Sequence, residues 1–381
     1  MPIRYMDLGG DRRISSIVFA GSHDASITGG KWNSRTQNKT IGEQARCGVR
    51  LFDLRIIGRT GPGGGSLVGY HGSTGRAKKI DATSTHTGED YDDVRLRRFM
   101  ALGTFGLKLS DMLKQARAFV RDSGEFLIFK FDKCENYQLI ADYCTSILGR
   151  RIFTSGRGNE FGKVTLDELS GKVVCVFPDG EKGLGQIAGA RPEDGILGFR
   201  SLKGDDGQPK PYDPAWCGLQ YIGKGGTSLP DKAYKYKVRD NIDKQRKIML
   251  QMAQCATDDA ANVLGMMYWT STGLTASIRH RDSYMWKDSN VRRMQELWNC
   301  GLEAAIRTQL ARDRIKAMAY REQFGGTYQR RMKAFLPNIV MVDFADESKC
   351  DTIHALNLTV DRKLIAAYDR AYDELGFRAA V

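Results

Sequence analysis

Two histidines, an arginine between them and several carboxylates stand out within one stretch of this chain, Ile14 to Gly75. Three apolar runs there each end in groups able to do chemistry. Ser15 to Ala20 leads through Gly21-Ser22 to His23 and Asp24, Val49 to Ile57 carries Asp53 and Arg55, and Ser66 to Tyr70 ends at His71-Gly72. An imidazole whose ordinary pKa is about 6.5 can take a proton from an attacking hydroxyl, and a second can return one to a leaving oxygen. An arginine supplies a permanent forked donor for the nonbridging oxygens of a phosphate as charge grows on them. A carboxylate on the far nitrogen of an imidazole sets its tautomer and orientation. This set of residue types suits in-line displacement at phosphorus.

The elements that must position these groups follow from the hydrophobic pattern. Asp53 and Arg55 share one face of a strand because side chains repeat with period two. Thr40, with Glu43 three residues on, predicts a capped helix over 41–47 that stops at Gly48. Apolar strand candidates lie at 15–20, 49–57, 66–70, 125–131, 172–177, 196–202, 264–269 and 338–344, with Asp343 near the end of the last. Helical patterning separates many of them, including 110–120, 241–264, a long face from Asp288 through Leu310, and a closing helix at about 359–375. Strands alternating with helices, and polar groups at strand exits, predict an α/β TIM-barrel-like (β/α) barrel. The expectation is one domain over 1–381, distorted or incomplete in places, with insertions at about 203–239 and 274–336.

Composition narrows the class. With 381 residues and 41% apolar content the chain can bury a large core. Its eight cysteines form no C-x-x-C pair, which suits reduced thiols better than disulfides or a zinc site. A net charge of +13 suggests a polyanionic partner: a phosphorylated substrate, an anionic membrane or a nucleic acid. No window approaches the roughly 20 apolar residues of a membrane span, and the N-terminus lacks a Sec-type pattern. The expected location is the cytoplasm of the producing cell, or outside it by a non-Sec route, with peripheral membrane association. Tyr212, Trp216, Tyr221, Tyr234 and Tyr236, interleaved with lysines, suit either an interfacial patch or packing within an ordered insertion. The basic segment 274–336 suits membrane or nucleic-acid contact, but a solvated helix face is the favoured reading.

The order of four blocks is more specific than any one of them. These are Gly21-Ser22-His23-Asp24-Ala25-Ser26, then Thr36 to Gln44, then Gly48-Val49-Arg50-Leu51-Phe52-Asp53-Leu54-Arg55, then Tyr70-His71-Gly72. Together they resemble the catalytic X region of the phosphatidylinositol-specific phospholipase C family. Thr165 to Val174 is similar to the stretch entering the family's fifth strand, and Val340 to Phe344 resembles its last.

The resemblance implies roles residue by residue. His23 would be the general base on the inositol 2-hydroxyl, supported by Asp343. His71 would be the general acid toward the diacylglycerol oxygen, helped by Asp24, and Arg55 would stabilise the phosphorane-like transition state. Asp53 would hold the arginine and the histidines in register, with Asp132 and Lys133 near the substrate. Products would be diacylglycerol and a cyclic phosphate. Calcium-dependent members carry an Asn beside the first histidine and an acidic residue where this chain has Arg55. Asp24 and Arg55 therefore follow the bacterial, metal-independent type, implying no metal and no cofactor, with calcium as the alternative. Asp132 falls near a position that is acidic in calcium-dependent members and lysine in bacterial ones, where Lys133 would serve if the register shifts by one. The implied partner is a phospholipid at a membrane surface, with anionic lipid favoured and no nucleic acid. The competing readings are a metal-dependent glycerophosphodiesterase or sphingomyelinase D-like enzyme, and a noncatalytic module that binds anionic membranes.

Overall fold

In a strand, alternate side chains face opposite ways, so each strand of a closed barrel has one face inside and one toward the surrounding helices. The structure, a computed structural model, describes residues 2–30, 34–59, 66–71, 104–156, 160–204, 210–223, 240–241, 243–245, 248, 263–270, 278–292, 294 and 337–357. Its strands in chain order begin with β1 (Phe19–Ser22), β2 (Val49–Leu54), β3 (Ile56–Arg59), β4 (Ser66–His71), β5 (Thr104–Lys108) and β6 (Leu127–Phe131). They continue with β7 (Val173–Pro178), β8 (Ile196–Ser201), β9 (Gly218–Gly223), β10 (Leu264–Tyr268) and β11 (Pro337–Val342). Strands β1, β2, β6, β7, β8, β9, β10 and β11 close into a barrel in that order. Each neighbouring pair is parallel, so all the strand exits meet at one mouth.

Two apolar clusters follow the alternation. Phe19, Leu51, Ile128, Ile339 and Met341 belong to the inner one, whereas Phe52, Leu54, Phe129, Val340 and Val342 pack outward with the helices. Continuing the inner face past its last apolar residue arrives at His23 after β1, Asp53 on β2, Lys130 on β6 and Asp343 after β11. Gly21 makes room for this arrangement, because a Cβ there would meet Met341 Sδ at 2.3 Å. The barrel interior is thus apolar below and ionisable at its mouth.

Helix α1 (Ile41–Cys47) has the expected Thr40–Glu43 capping box and ends at Gly48, whose φ of 118° suits glycine. Helix α2 (Leu109–Ser123) buries Leu109, Met112, Leu113, Ala116 and Val120, one face at helical spacing. Helices α3 (Tyr137–Leu148) and α4 (Leu166–Leu169) follow, the latter with a Thr165–Glu168 capping box. Helix α5 (Ile278–Met285) precedes β11, and 347–357 is helical after it.

The barrel prediction holds, but one strand was assigned wrongly. Ser66–His71 is not a barrel strand: it pairs antiparallel with β3 and β5 in a separate three-stranded sheet beside the mouth. The eighth barrel strand is β9, inside the segment 203–239 that reads as an insertion. Its pattern is obscured by Gln220, a polar residue buried mid-strand. The Gln220 amide is satisfied there, accepting from Arg200 Nη2 at 2.7 Å and donating to Asp213 O at 2.7 Å. At the chain start, β1 begins at Phe19 rather than Ser15, since 14–16 forms a 3-10 turn. Asn338 Nδ2 takes the carbonyls of Ser15 and Ile17 at 2.7 and 3.1 Å, where a strand partner would bind. The closing helix at 359–375, the region 295–336, and Tyr234 and Tyr236 lie outside the described residues. Among the described residues no helix is long and apolar enough to cross a membrane.

Candidate active site

At the barrel mouth the two expected histidines come together through carboxylates. Asp343 Oδ1 lies 2.9 Å from His23 Nδ1, closing a pair 320 residues apart in sequence. Asp24 Oδ2 lies 2.7 Å from His71 Nδ1. In each pair a donating Nδ1–H leaves the opposite ring nitrogen for a reacting group. Asp24 also meets Arg55, whose Nε is 3.0 Å from Oδ1, and its Oδ2 is 3.6 Å from His23 Nε2. The backbone at Asp24 turns sharply with φ of 41°, a left-handed conformation that Asp tolerates better than most residues. Hydrogen bonds from Thr36 Oγ1 and Ile27 N to Asp24 O hold that turn.

Exposure is graded across the group. His23, Asp24 and Asp343 are buried, while the side chains of Arg55 and His71 keep 17% and 24% exposure and so face an incoming solute. Burial opposes charge on His23, but Asp24 and Asp343 outweigh it and raise its pKa to about 9. Burial likewise opposes charge on Asp24, and Arg55, His23 and His71 outweigh it, holding the carboxyl well below its usual range. Asp24 in turn raises Arg55 further, so that guanidinium keeps its charge. The Tyr268 ring stands edge-on to His23 at 6.0 Å and walls its imidazole on the barrel side.

Two expected residues sit differently from their neighbours. Asp53 takes its hydrogen bond from Lys130 Nζ at 2.9 Å, whereas Asp24 is the carboxylate in direct contact with both histidines and Arg55. Lys133 is not the site lysine: it is exposed, sits at φ of 55° and offers its carbonyl to Tyr70 Oη. The lysine at the mouth is Lys130, two residues before Asp132, to whose Oδ2 it donates at 3.1 Å. Sequence reading missed it as part of an apolar run, although its inward parity with Ile128 and Asp132 was a usable signal. Asp132 does reach the site; burial raises its pKa, and Lys130, Lys133 and Arg55 together lower it more.

The Lys130–Asp53 pair is almost fully buried, and Asp53 and Asp132 hold Lys130 charged against its desolvation. Removing one partner of such a pair strands the other charge. Lys130→Met is therefore expected to cost about 3–5 kcal/mol of stability. Urea unfolding midpoints measure this, and Lys130→Met/Asp53→Asn should recover part of the loss because no lone charge remains.

His23, Asp24 and Asp53 offer donor atoms within 4.8 Å of one another, close enough to hold an ion. The same two carboxylates already carry Arg55 and Lys130. The donor set therefore fits a fixed pair of side-chain cations, with one histidine and two neutralised carboxylates left as a weak cage for calcium.

No family model and no curated protein matches this chain. Among solved structures, it is similar to phosphatidylinositol-specific phospholipase C from S. aureus. One such structure is 14% identical and covers 92% of this chain and 96% of its own, with a TM-score of 0.48. A second is 12% identical, with coverage of 92% and 95% and a TM-score of 0.47. S. officinalis PLC21 is also similar, at 12% identity over 79% of this chain and 36% of its own, with a TM-score of 0.39.

Proposed function

We propose that this protein is a phospholipase C of the phosphatidylinositol type, a phosphodiester-cleaving lyase that works without a metal ion at a membrane surface. The observation that carries the reading is the Asp343–His23 and Asp24–His71 pairs beside Arg55 at one barrel mouth. His23 takes the proton from a hydroxyl vicinal to the phosphodiester, and that oxygen forms a new bond to phosphorus. The bond from phosphorus to the other alcohol breaks, and His71 protonates the departing oxygen. The products are a cyclic phosphodiester and, from a phosphatidylinositol, diacylglycerol. Arg55 neutralises charge on the nonbridging oxygens, the task a calcium ion performs in metal-dependent chemistry of this kind. A net charge of +13 supports attraction to anionic lipid.

The test is a vesicle assay with phosphatidylinositol in EDTA and in calcium, reading diacylglycerol and cyclic inositol phosphate. Equal turnover in both arms is the expected result. Loss in EDTA with recovery in calcium would reassign His23, Asp24 and Asp53 to an ion. No turnover in either arm, across a panel of phosphodiester lipids, would overturn the reading.

A further inference from the structure

The catalytic pair His23–Asp343 spans two strand exits, and neither side chain alone sets the distance between them. Gln37 does more of that work than any residue singled out for chemistry. Its side chain is fully buried beside the mouth. The amide Nε2 donates to His23 O at 3.0 Å and to Val342 O at 3.1 Å. The amide Oε1 accepts from Ala345 N at 3.0 Å. One group therefore bonds the backbone of the base itself and the backbone on both sides of Asp343.

Only a primary amide can donate twice and accept at the same place, so neither Glu nor Met can reproduce this pattern. The surroundings rely on it. His23 N reaches Val342 O at 3.0 Å, and Phe344 N reaches Thr36 O at 2.7 Å, adding backbone links between the same two segments. Between these links the chain turns through Phe344 at φ of 46°, a conformation uncommon for a bulky residue. Lys349 Nζ holds the turn from the other side, donating to Asp343 O at 2.8 Å and Phe344 O at 2.9 Å.

We propose that Gln37 is a positioning residue: it sets the His23–Asp343 hydrogen bond by tying the β1 exit to the β11 exit, and it touches no substrate. The kinetic part of this proposal rests on the phosphodiesterase reading; the structural part does not.

The test uses the full chain in three forms: wild type, Gln37→Met and Gln37→Asn. It combines NMR titration of the His23 ring with kcat and KM on phosphatidylinositol vesicles and with thermal melting. His23 is faced by Asp343, Asp24 and Asp53, so loosening the Asp343 contact lowers its titration midpoint from about 9 toward the ordinary histidine range. Gln37→Met is expected to lose about 10²-fold in kcat, the effect of a small misplacement of a reacting group, with KM nearly unchanged. Gln37→Asn keeps the donor and acceptor one methylene back; it should fall between the two, and it decides the matter if the Met variant does not fold. A lower melting temperature with unchanged His23 titration and unchanged kcat would overturn the proposal. Should the wild type cleave no phosphodiester, the functional reading fails and the His23 titration alone still accepts or rejects the clamp.

Discussion

His23→Ala is expected to lower phosphatidylinositol turnover by about 10³- to 10⁴-fold, the range lost when a positioned general base is removed. The arrangement also assigns different failures to the two histidines. A substrate with a strongly acidic leaving alcohol needs no proton at departure, so it should restore most of the activity of His71→Ala and little of that of His23→Ala. Stability separates them too. Among the described residues the one hydrogen bond to the Asp343 carboxylate comes from His23, and Asp343 is fully buried, so His23→Ala strands a charge. His23→Ala/Asp343→Asn is the variant that isolates catalysis from folding. In the wild type, Asp24 and Asp343 overcome burial and hold His23 protonated up to about pH 9. Since the base acts neutral, kcat/KM should rise with pH toward about 9. Asp343→Asn removes a negative neighbour, lowers that pKa and shifts the rising limb to lower pH, while kcat drops. A limb that stays in place in Asp343→Asn would deny the pair its role.

Much of this site is legible in the sequence, for a physical reason. A barrel strand that ends its inner face on a polar residue leaves a visible break in an apolar run, and His23, Asp53 and Asp343 all sit at such breaks. Capping boxes are equally local, so the Thr40–Glu43 spacing predicts α1 with its cap, and the Thr165–Glu168 spacing marks α4 in the same way. What failed was non-local. The run at 66–71 is apolar enough for a barrel strand, yet it joins a side sheet because antiparallel partners lie on both flanks, β3 and β5. Strand β9 was invisible because Gln220 is satisfied by Arg200 and by the backbone of Asp213, partners that no local pattern reveals. Lys130 was hidden in the same way: a lysine inside Leu-Ile-Phe-Lys-Phe reads as noise until Asp53 and Asp132 are seen around it.

The second large effect concerns which carboxylate organises the site. The family resemblance gives that role to Asp53, but the contacts favour Asp24. It is 2.7 Å from His71, 3.0 Å from Arg55 and 3.6 Å from His23, whereas the hydrogen bond to Asp53 comes from Lys130. Asp24→Asn keeps the shape and removes the charge, so the guanidinium loses its buried counterion and the acid loses the group that sets its tautomer. A fall of about 10³-fold in kcat is expected. Asp53→Asn leaves Lys130 with Asp132 and leaves every contact of Asp24 in place. Its effect on kcat should stay within about 10-fold, with the main loss in stability. The comparison also bears on the ion, because Asp24 and Asp53 are both in the trio that could hold one. A metal held by that trio would make the two substitutions similarly damaging and both sensitive to added calcium. Side-chain cations make them unequal and indifferent to it, since Arg55 serves one carboxylate and Lys130 the other.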